Sequence, residues 1–585
     1  MKELLLGNEA VARGAWEAGV NVVSSYPGTP STEITENIAK YDAAEVYCEW
    51  APNEKVAMEV AIGASFAGAR AMCCMKHVGL NVAADPLFTS AYTGVNGGLV
   101  IVVADDPGMH SSQNEQDSRY YGLSAHVPVL EPSDSQECKD FTKMAFAISE
   151  TFDTPVILRL TTRIAHARSM TTLCERENVS VKDYQKNIEK YVMMPAMAKK
   201  RHVFVEDRMA KLAEHSDELA VAEYSDKKLG IVTSGINYQY VKEVFPDASV
   251  LKVNMVHPLP EKQIRTFAEN VEELLVVEEL EPFMENYIRQ LGINKVTGKQ
   301  YFGVQGEFST AFLKEAYFGT KPEHAALAEA LDVPPRPPVM CPGCPHRGVF
   351  YVLSQMGVRV SGDIGCYTLG AMAPYNALQA CVCMGASVSM AHGMEKASTS
   401  RDGYGKMPTV AVIGDSTFMH SGITGLIDIV YNQGTSTVII LDNSITGMTG
   451  HQQNPTTGYT IRMEETPPVN LIKLAEAVGV KRVRVEDPFD MKAFKAAVQE
   501  ELDAAEPSVI IAQRPCALLK SVKYGAPVVI DQEKCKKCGS CMKLGCPAII
   551  KKDGCYQIDS SLCAGCRHCE QMCPFHCISK PEGTL

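Results

Sequence analysis

The chain has 585 residues, of which 46% are hydrophobic and 21% charged, and its formal net charge at pH 7 is −13. This length predicts about four domains, and the acidic balance argues against a nucleic-acid partner, which would need a basic face. The N-terminus shows no signal-peptide pattern and no apolar run reaches the roughly 18 residues of a membrane span, so we expect a cytoplasmic protein without a membrane partner.

The first two blocks of the chain alternate short apolar strands with helices, which is typical of parallel α/β domains. A strand is predicted at 98–103, and a charged stretch near 175–225 leads into a second block. That block has predicted strands at 229–233, 250–253 and 274–277. The proline-rich segment 333–338 is predicted to be a stiff linker into a third block. We place the domains at 1–185, 186–332, 333–520 and 521–585.

Two strands of the third block end on polar residues. Val410–Gly414 leads to Asp415, and a helical stretch then leads to a strand that ends at Asn443. Ligands bind at the carboxyl ends of strands in such sheets, and an aspartate with an asparagine is a hard-oxygen pair suited to magnesium and a diphosphate.

The sequence around Gly414 and Asp415 resembles the thiamine diphosphate motif, Gly-Asp-Gly followed further along by Asn, with Ser416 in place of the last glycine. By that resemblance Asp415 and Asn443 ligate Mg²⁺ through their side chains and Ile445 through its carbonyl. An ordinary pair of polar strand-end residues is the alternative.

The last 51 residues hold ten of the 21 cysteines, and eight of the ten form two runs. The runs are Cys535-x2-Cys538-x2-Cys541-x4-Cys546-Pro547 and Cys563-x2-Cys566-x2-Cys569-x3-Cys573-Pro574. Two-residue gaps let three thiolates converge on one [4Fe-4S] cubane while the fourth ligand crosses to the other cluster. We therefore assign the first cluster to Cys535, Cys538, Cys541 and Cys573, and the second to Cys546, Cys563, Cys566 and Cys569.

The alternatives to two clusters are zinc ribbons, which need four ligands per site rather than interlocked sets, and disulfides. The x4 gap in the first run leaves room for a bulge before Cys546. Cys555 and Cys577 lie outside the pattern and are interpreted as structural thiols. Unpaired cysteines in this number predict a reducing interior.

A lysine-rich surface is also predicted in the last domain. It is a candidate docking face for an acidic ferredoxin, although a solvated charge run is an equal alternative. The lysines are Lys534, Lys536, Lys537, Lys543, Lys551 and Lys552.

A thiamine site also needs a glutamate, from a partner domain, that hydrogen-bonds N1′ of the aminopyrimidine ring. Glu54 is the best candidate, because it starts a predicted helix rich in small residues and because glutamate is rarely buried without such a role. The alternative is a carboxylate stabilised by the helix dipole. Met384 resembles the apolar wedge that holds the cofactor bent, although a methionine there is also typical of a plain core.

Four further segments carry a family resemblance. They are Tyr-Pro-Gly-Thr-Pro-Ser-Thr-Glu at 26–33, Lys-His-Val-Gly-Leu-Asn-Val-Ala-Ala-Asp-Pro at 76–86, Ser-Ser-Gln-Asn-Glu-Gln-Asp at 111–117 and Cys-Pro-Gly-Cys-Pro-His-Arg at 341–347. Together they resemble the alpha subunit of indolepyruvate:ferredoxin oxidoreductase, within the 2-oxoacid:ferredoxin oxidoreductase superfamily. The resemblance covers essentially the whole chain, including the x4 gap in the first cysteine run.

The resemblance implies two doubly wound domains that bind thiamine diphosphate, a transketolase C-terminal-like α/β domain between them, and a C-terminal ferredoxin-like domain with two [4Fe-4S] clusters. It implies the oxidative decarboxylation of an aryl pyruvate, in which thiamine is the electron sink, the clusters carry single electrons to ferredoxin, and coenzyme A takes the acyl group. Thr29 should contact the substrate. His77 is a candidate acid or base, with a core histidine as the alternative.

A third [4Fe-4S] cluster beside the thiamine is implied by relatives that hold a proximal cluster with a similar cysteine set. Here the set would be Cys341, Cys344, Cys366 and Cys516. Electron transfer falls off steeply with distance, so a buried thiamine site needs an acceptor close by. The alternatives are four core thiols, or a cysteine turn that approaches the diphosphate.

The resemblance also implies a second, smaller subunit and an α2β2 heterotetramer, with the thiamine site either within one chain or across the dimer. The preference for indolepyruvate over other aryl pyruvates rests on the resemblance alone. A non-oxidative thiamine-dependent 2-oxoacid decarboxylase is the alternative enzyme. An electron-transfer subunit that has lost its thiamine site is the alternative of another class.

Overall fold

The computed structural model describes residues 1–320, 337–399, 408–504 and 506–581. The chain forms two compact units, Met1–Leu331 and Asp332–Leu585. Most of the predicted linker at 333–338 lies outside the described residues. In the described parts of the chain, no helix combines the length and the apolarity needed to cross a bilayer.

The first unit contains fourteen described strands and fifteen described helices. The strands are β1 Lys2–Leu6, β2 Val22–Ser25, β3 Tyr47–Trp50, β4 Ala71–Lys76, β5 Leu99–Asp105, β6 Val129–Leu130, β7 Val156–Thr161, β8 Arg168–Thr172, β9 Val221–Glu223, β10 Asp226–Thr233, β11 Ala248–Lys252, β12 Met255–His257, β13 Glu273–Val277 and β14 Val296–Thr297. The helices are α1 Gly7–Glu17, α2 Thr32–Ile38, α3 Glu54–Phe66, α4 His77–Val82, α5 Ala84–Thr93, α6 Arg119–Ala125, α7 Ser135–Phe152, α8 Thr162–His166, α9 Ile188–Tyr191, α10 Pro195–Leu219, α11 Asn237–Val244, α12 Glu261–Glu269, α13 Phe283–Gln290, α14 Lys299–Phe302 and α15 Thr310–Phe318.

The larger sheet of this unit has seven strands in the order β12-β6-β7-β5-β4-β2-β3 and is parallel except for β12. Its central strand β5 is buried at every position, as expected for a parallel strand covered on both faces. A second sheet has the order β14-β13-β10-β11-β9, with β9 antiparallel. β12 follows the predicted boundary at 185 but joins the sheet of the preceding block, so the two predicted blocks share one unit.

The charged stretch near 175–225 contains helix α10, which its low content of apolar residues does not predict. The 25-residue α10 buries only Val205, Arg208, Leu212 and Ser216, which lie on one face at helical spacing. The Arg208 guanidinium donates to the carbonyls of Ala91 (3.0 Å) and Asp153 (2.9 Å), which attaches the helix to the first block.

The second unit contains ten described strands and the remaining helices. The strands are β15 Arg359–Ser361, β16 Leu378–Ala380, β17 Thr409–Gly414, β18 Thr437–Asp442, β19 Arg482–Glu486, β20 Ser508–Gln513, β21 Val529–Ile530, β22 Ile549–Lys552, β23 Cys555–Ile558 and β24 Ile578–Ser579. The α-helices are α16 His346–Met356, α17 Ala386–Thr399, α18 Asp415–Thr417, α19 Ile423–Tyr431, α20 Leu471–Ala477 and α21 Met491–Asp503. A π-helical turn covers Phe418–Gly422, and 3₁₀ turns cover Cys366–Ala371, Ser540–Leu544 and His568–Met572.

The main sheet of the second unit is parallel, in the order β16-β15-β17-β18-β20-β19. The C-terminal module adds two antiparallel pairs, β21 with β24 and β22 with β23. The module shares a continuous apolar core with this sheet, because Ile530 and Leu544 belong to the same cluster of buried residues as Phe350 and Ile439. The predicted fold class is therefore confirmed: parallel α/β sheets followed by a small cysteine-rich module.

Candidate functional site

The two polar strand ends of the second unit lie side by side. β17 and β18 are neighbouring parallel strands with Gly414 opposite Leu441, so Asp415 and Asn443 follow them at the same sheet edge. Both are buried, and Oδ1 of Asn443 accepts from the Ile445 amide at 3.3 Å. The structure thus brings together the three residues that were predicted to hold magnesium.

The buried carboxyl group of Asp415 is held by two side-chain hydrogen bonds. Its Oδ2 accepts from Nδ2 of Asn454 at 3.2 Å and from Oγ1 of Thr456 at 3.1 Å. Burial, with the charge of Asp442 acting in the same direction, raises the pKa of Asp415 to about 7. Within the described residues it forms no ion pair. A divalent cation bound to Asp415 would offset the desolvation of the buried, ionised carboxylate. The oxygen donors gathered here therefore fit Mg²⁺.

Asn454 and Thr456 are site residues that the sequence reasoning missed. The turn-forming run Asn-Pro-Thr-Thr-Gly at 454–458 is the only signal of their presence, and nothing in it indicates that the turn folds back onto Asp415. Gly414 has a visible reason to be glycine, because a Cβ there would lie 2.6 Å from Cε1 of Tyr367.

Met384 lies in a turn that is held from two sides. Asp363 accepts from the amides of Gly385 and Ser387, both at 2.9 Å, and Oγ of Ser421 donates to the Met384 carbonyl at 2.7 Å. Gly385 has a φ of +86° and meets Ser421 closely, so a side chain there would be strained. Met384 is only half-buried, unlike a core methionine.

Asp415, Asn443 and Ile445 form the predicted magnesium half-site, and the four cysteines predicted to hold a third cluster are gathered next to it. Burial raises the pKa of Cys344 to about 12, and the thiolate charges of Cys341 and Cys366 act in the same direction. Burial also raises the pKa of Cys516, again with Cys341 close enough to contribute. The Cys516 amide donates to the Asn443 carbonyl at 2.9 Å, which joins this group to the residues predicted to hold magnesium.

Two cavities in the C-terminal module are lined by the eight cysteines of the ferredoxin-type runs. Cys535, Cys538, Cys541 and Cys573 line the first cavity, and Cys546, Cys563, Cys566 and Cys569 line the second. The grouping is that of the crossed assignment. Among the described residues no three His, Cys, Asp or Glu side chains converge as the ligands of a single ion would, whereas a cubane takes its ligands at separate corners.

Cys577 also lines the first cavity, although it lies outside the cysteine runs. It is buried, and its Sγ lies 3.1 Å from Sγ of Cys573. The structural thiol predicted at this position thus packs against the cysteines of the predicted first cluster. Cys555 lines neither cavity.

The second cavity also borders the Cys341–Cys344 turn. Pro342, Gly343 and Arg347 line it together with the four cysteines. Arg347 is buried and donates to the carbonyls of Leu544 and Gly545 in the module. The turn thus lies between the magnesium half-site and the cysteine module of the same unit.

The first unit holds the remaining predicted residues. Glu54 is the first residue of α3, whose N-cap Asn53 accepts from the Val56 amide at 2.9 Å. Glu54 is 4% exposed. Its side chain lies over Gly79, where a Cβ would be 2.5 Å from its Oε1.

Thr29 and His77 lie at the same carboxyl edge, after β2 and β4. Thr29 is half-buried, and its carbonyl accepts from Oγ of Ser111 at 3.5 Å. His77 is 1% exposed, and within the described residues neither ring nitrogen makes a hydrogen bond of ordinary geometry. Burial lowers its pKa, so the ring is neutral at pH 7.

Three family models match the chain. Residues 13–226 match pyruvate flavodoxin/ferredoxin oxidoreductase, thiamine diP-bdg. Residues 363–512 match thiamine pyrophosphate enzyme, C-terminal TPP binding domain, and residues 556–579 match 4Fe-4S binding domain.

Curated relatives extend the match to nearly the whole chain. Indolepyruvate oxidoreductase subunit IorA of Archaeoglobus fulgidus is 42% identical over 89% of this chain and 87% of its own length. The Pyrococcus abyssi protein of the same name is 40% identical over 100% of this chain and 97% of its own length. A solved 2-oxoglutarate:ferredoxin oxidoreductase from Magnetococcus marinus matches with a TM-score of 0.45 and 17% identity, over 54% of this chain and 65% of that one. The similarity to the two curated relatives shows that the chain belongs to the family of indolepyruvate oxidoreductase IorA subunits.

Proposed function

We propose that the chain catalyses the oxidative decarboxylation of aryl pyruvates, with indolepyruvate as the expected substrate, to aryl-acetyl-CoA and CO₂, with ferredoxin as electron acceptor. The observation that carries this proposal is the Cys341–Cys344 turn. It borders the second cysteine cavity, and its neighbour Cys516 contacts the carbonyl of Asn443. These contacts support a thiamine half-site and an electron relay that would be continuous within one unit, as oxidative chemistry requires and simple decarboxylation does not. The substrate class comes from the names of the relatives.

Magnesium would be held by the side chains of Asp415 and Asn443 and the carbonyl of Ile445. Thiamine diphosphate, when bound, supplies the nucleophilic carbon and the electron sink of the reaction. Gly414 leaves space at this sheet edge, and Asp363 fixes the backbone of the Met384 turn. Met384 is proposed to support the cofactor from its half-exposed position.

Glu54 is proposed to accept a hydrogen bond from N1′ of the aminopyrimidine ring. It is buried, it projects from the start of α3, and it lies against a glycine that leaves it room. Thr29 is proposed to contact the substrate. The buried, neutral ring of His77 has the protonation state that a general base needs at pH 7, and we assign it that role.

Three [4Fe-4S] clusters are proposed. Cys341, Cys344, Cys366 and Cys516 would hold the proximal one, and the two cavities of the module would hold the others in the crossed arrangement. The second cavity borders the proximal cysteines, so electrons would pass through that cluster before the first. The ferredoxin surface would then be the exposed lysines near the first cavity. Lys536 lines that cavity, and Lys543 is close enough for its charge to act on Cys538.

The active assembly is proposed to include a smaller beta subunit in an α2β2 heterotetramer, since the relatives are named as subunits. A cytoplasmic location is proposed because cysteines in cluster-type runs are typical of a protein from a reducing compartment.

The test is an anaerobic assay of the chain with its smaller subunit, thiamine diphosphate, Mg²⁺ and coenzyme A, against a panel of aryl and alkyl 2-oxoacids. We expect aryl pyruvates to support ferredoxin reduction and acyl-CoA formation, and omission of coenzyme A to stop acyl-CoA formation. Release of CO₂ without any dependence on an electron acceptor would instead identify a non-oxidative decarboxylase. A purified protein that never binds thiamine would identify an electron-transfer subunit.

A further inference from the structure

A buried cation lies at the carboxyl edge of the large sheet of the first unit, and none of the roles above uses it. Lys76 is the last residue of β4 and is 7% exposed. Its Nζ donates to the Ser111 carbonyl at 2.6 Å and lies 3.3 Å from Oγ of Ser111. Within the described residues it forms no ion pair. Lysine is almost never buried unless it is paired, so this ammonium group lacks the partner that its burial calls for.

The nearby acidic residue does not supply that partner. Asp106 is close enough for its charge to act on Lys76, but its oxygens are already engaged. Oδ2 accepts from the Ser111 amide at 2.8 Å and from Oγ of Ser112 at 2.5 Å, and Oδ1 accepts from Oγ1 of Thr162 at 2.7 Å. Leaving a charge buried without a direct partner is costly, which favours a ligand that brings the anion.

The position of Lys76 is that of a substrate-binding residue. β2, β3, β4 and β5 are neighbours in one sheet, and the site residues Thr29 and Glu54 follow β2 and β3 at the same edge as Lys76. Ligands of such sheets bind at this edge. A Cβ at Gly28 would lie only 3.1 Å from Cβ of Lys76, and Ser111 contacts both Lys76 and the Thr29 carbonyl. The ammonium group is therefore next to the residue proposed to contact substrate.

We propose that Lys76 binds the carboxylate of the 2-oxoacid substrate. This inference rests on the proposed function and deepens it, because the negatively charged carboxylate distinguishes a 2-oxoacid from its neutral analogues. The substrate carboxylate would complete the ion pair that Lys76 lacks, and the hydroxyl of Ser111 is placed to support the same oxygens. Because the carboxylate later leaves as CO₂, the contribution of Lys76 belongs to substrate binding rather than to the steps that follow.

The test compares two inhibitors on the thiamine-loaded complex: an aryl lactate, which keeps the carboxylate, and its amide, which does not. Binding is measured by calorimetry, with competitive inhibition of ferredoxin reduction as a second readout. A charge-assisted hydrogen bond predicts that the wild-type protein prefers the lactate by about tenfold to a hundredfold. Lys76→Met and Lys76→Gln should remove this preference and raise KM for the 2-oxoacid by a similar factor. Lys76→Arg should keep most of it, and Lys40→Met, at an exposed position of the same unit, should change nothing.

The inference would be overturned if the wild-type protein did not distinguish the lactate from the amide, or if Lys76→Met and Lys76→Gln retained the preference. An equal loss of affinity for both inhibitors in these variants would mean that Lys76 only holds the Ser111 loop in place. Calorimetry needs no turnover, so a protein that binds the lactate through Lys76 but oxidises no 2-oxoacid would refute the proposed function and not this inference.

Discussion

Gly79→Ala should damage catalysis by moving Glu54. Gly79 lies in α4, and a Cβ at this position would be 2.5 Å from Oε1, 2.6 Å from Cγ and 2.8 Å from Cδ of Glu54. Ordinary van der Waals contact begins at 3.4 Å, so the carboxylate must retreat by about 0.9 Å, and a displacement of about 1 Å can cost about a hundredfold in rate. We expect kcat to fall by about that factor, which corresponds to about 2.7 kcal/mol of transition-state stabilisation.

The same variant should lose at most about 2.5 kcal/mol of stability. Alanine is favoured over glycine in a helix by about 0.5–1 kcal/mol, which offsets part of the overpacking cost of about 1–3 kcal/mol. The assay is steady-state ferredoxin reduction, with bound thiamine measured after desalting and the thermal midpoint recorded in parallel. Magnesium and cofactor should remain bound, because Asp415, Asn443 and Ile445, which are proposed to hold magnesium, are unchanged.

Gly63→Ala is the matched control. Gly63 lies in α3, the helix that begins with Glu54, and a Cβ there meets nothing within 4 Å. This variant should keep wild-type kcat and gain a fraction of a kcal/mol in stability. If Gly79→Ala turned over at the wild-type rate, Glu54 could not be the group whose position limits catalysis. If both variants lost activity equally, the effect would belong to the fold and not to the carboxylate.

Three further outcomes are expected. Glu54→Gln should abolish turnover while thiamine stays bound, because the substitution removes the hydrogen-bond acceptor at similar side-chain volume. Asp415→Ala should instead lose magnesium and cofactor together. Equal cofactor loss in both variants would mean that Glu54 has a structural role. Burial lowers the pKa of Lys76 to about 8, with Asp106 acting in the opposite direction, so the ammonium is charged below pH 8 and neutral above it. KM for the 2-oxoacid should therefore rise as the pH passes 8, and Lys76→Arg should flatten this pH profile. An unchanged pH dependence of KM in Lys76→Arg would exclude Lys76 as its source. Iron analysis should give about twelve irons per chain in the wild-type protein and about eight in the double variant Cys341→Ser/Cys344→Ser. The control Cys555→Ala should keep the wild-type iron content. A wild-type value near eight would rule out the third cluster.

The sequence was most informative where local chemistry sets the structure. Continuous apolar runs predicted β5, β17 and β18, because strands buried on both faces need them. The end of each run then located Asp415 and Asn443 at one sheet edge. Two-residue cysteine gaps likewise predicted a crossed arrangement, which is the grouping of the cysteines that line the two cavities.

Contacts between distant segments were beyond such reasoning. Nothing in the pattern indicates that Asn454 folds back onto Asp415, or that Cys577 lies beside Cys573. Helix α10 was missed because it buries only four residues, one of them an arginine. Lys76 belongs to the segment 76–86 that carries part of the family resemblance. Its proposed role, however, follows from its burial without an ion partner, which depends on how the neighbouring strands pack.

Electrons released at the thiamine site are proposed to enter the iron-sulfur clusters of the same chain. The most direct test is rapid freeze-quench electron paramagnetic resonance after mixing the anaerobic complex with indolepyruvate and no ferredoxin. We expect reduced [4Fe-4S] signals to appear as CO₂ is released. The Asp415→Ala variant retains the cysteines but should show neither the signals nor CO₂ release. Release of CO₂ while every cluster stays oxidised would contradict this proposal.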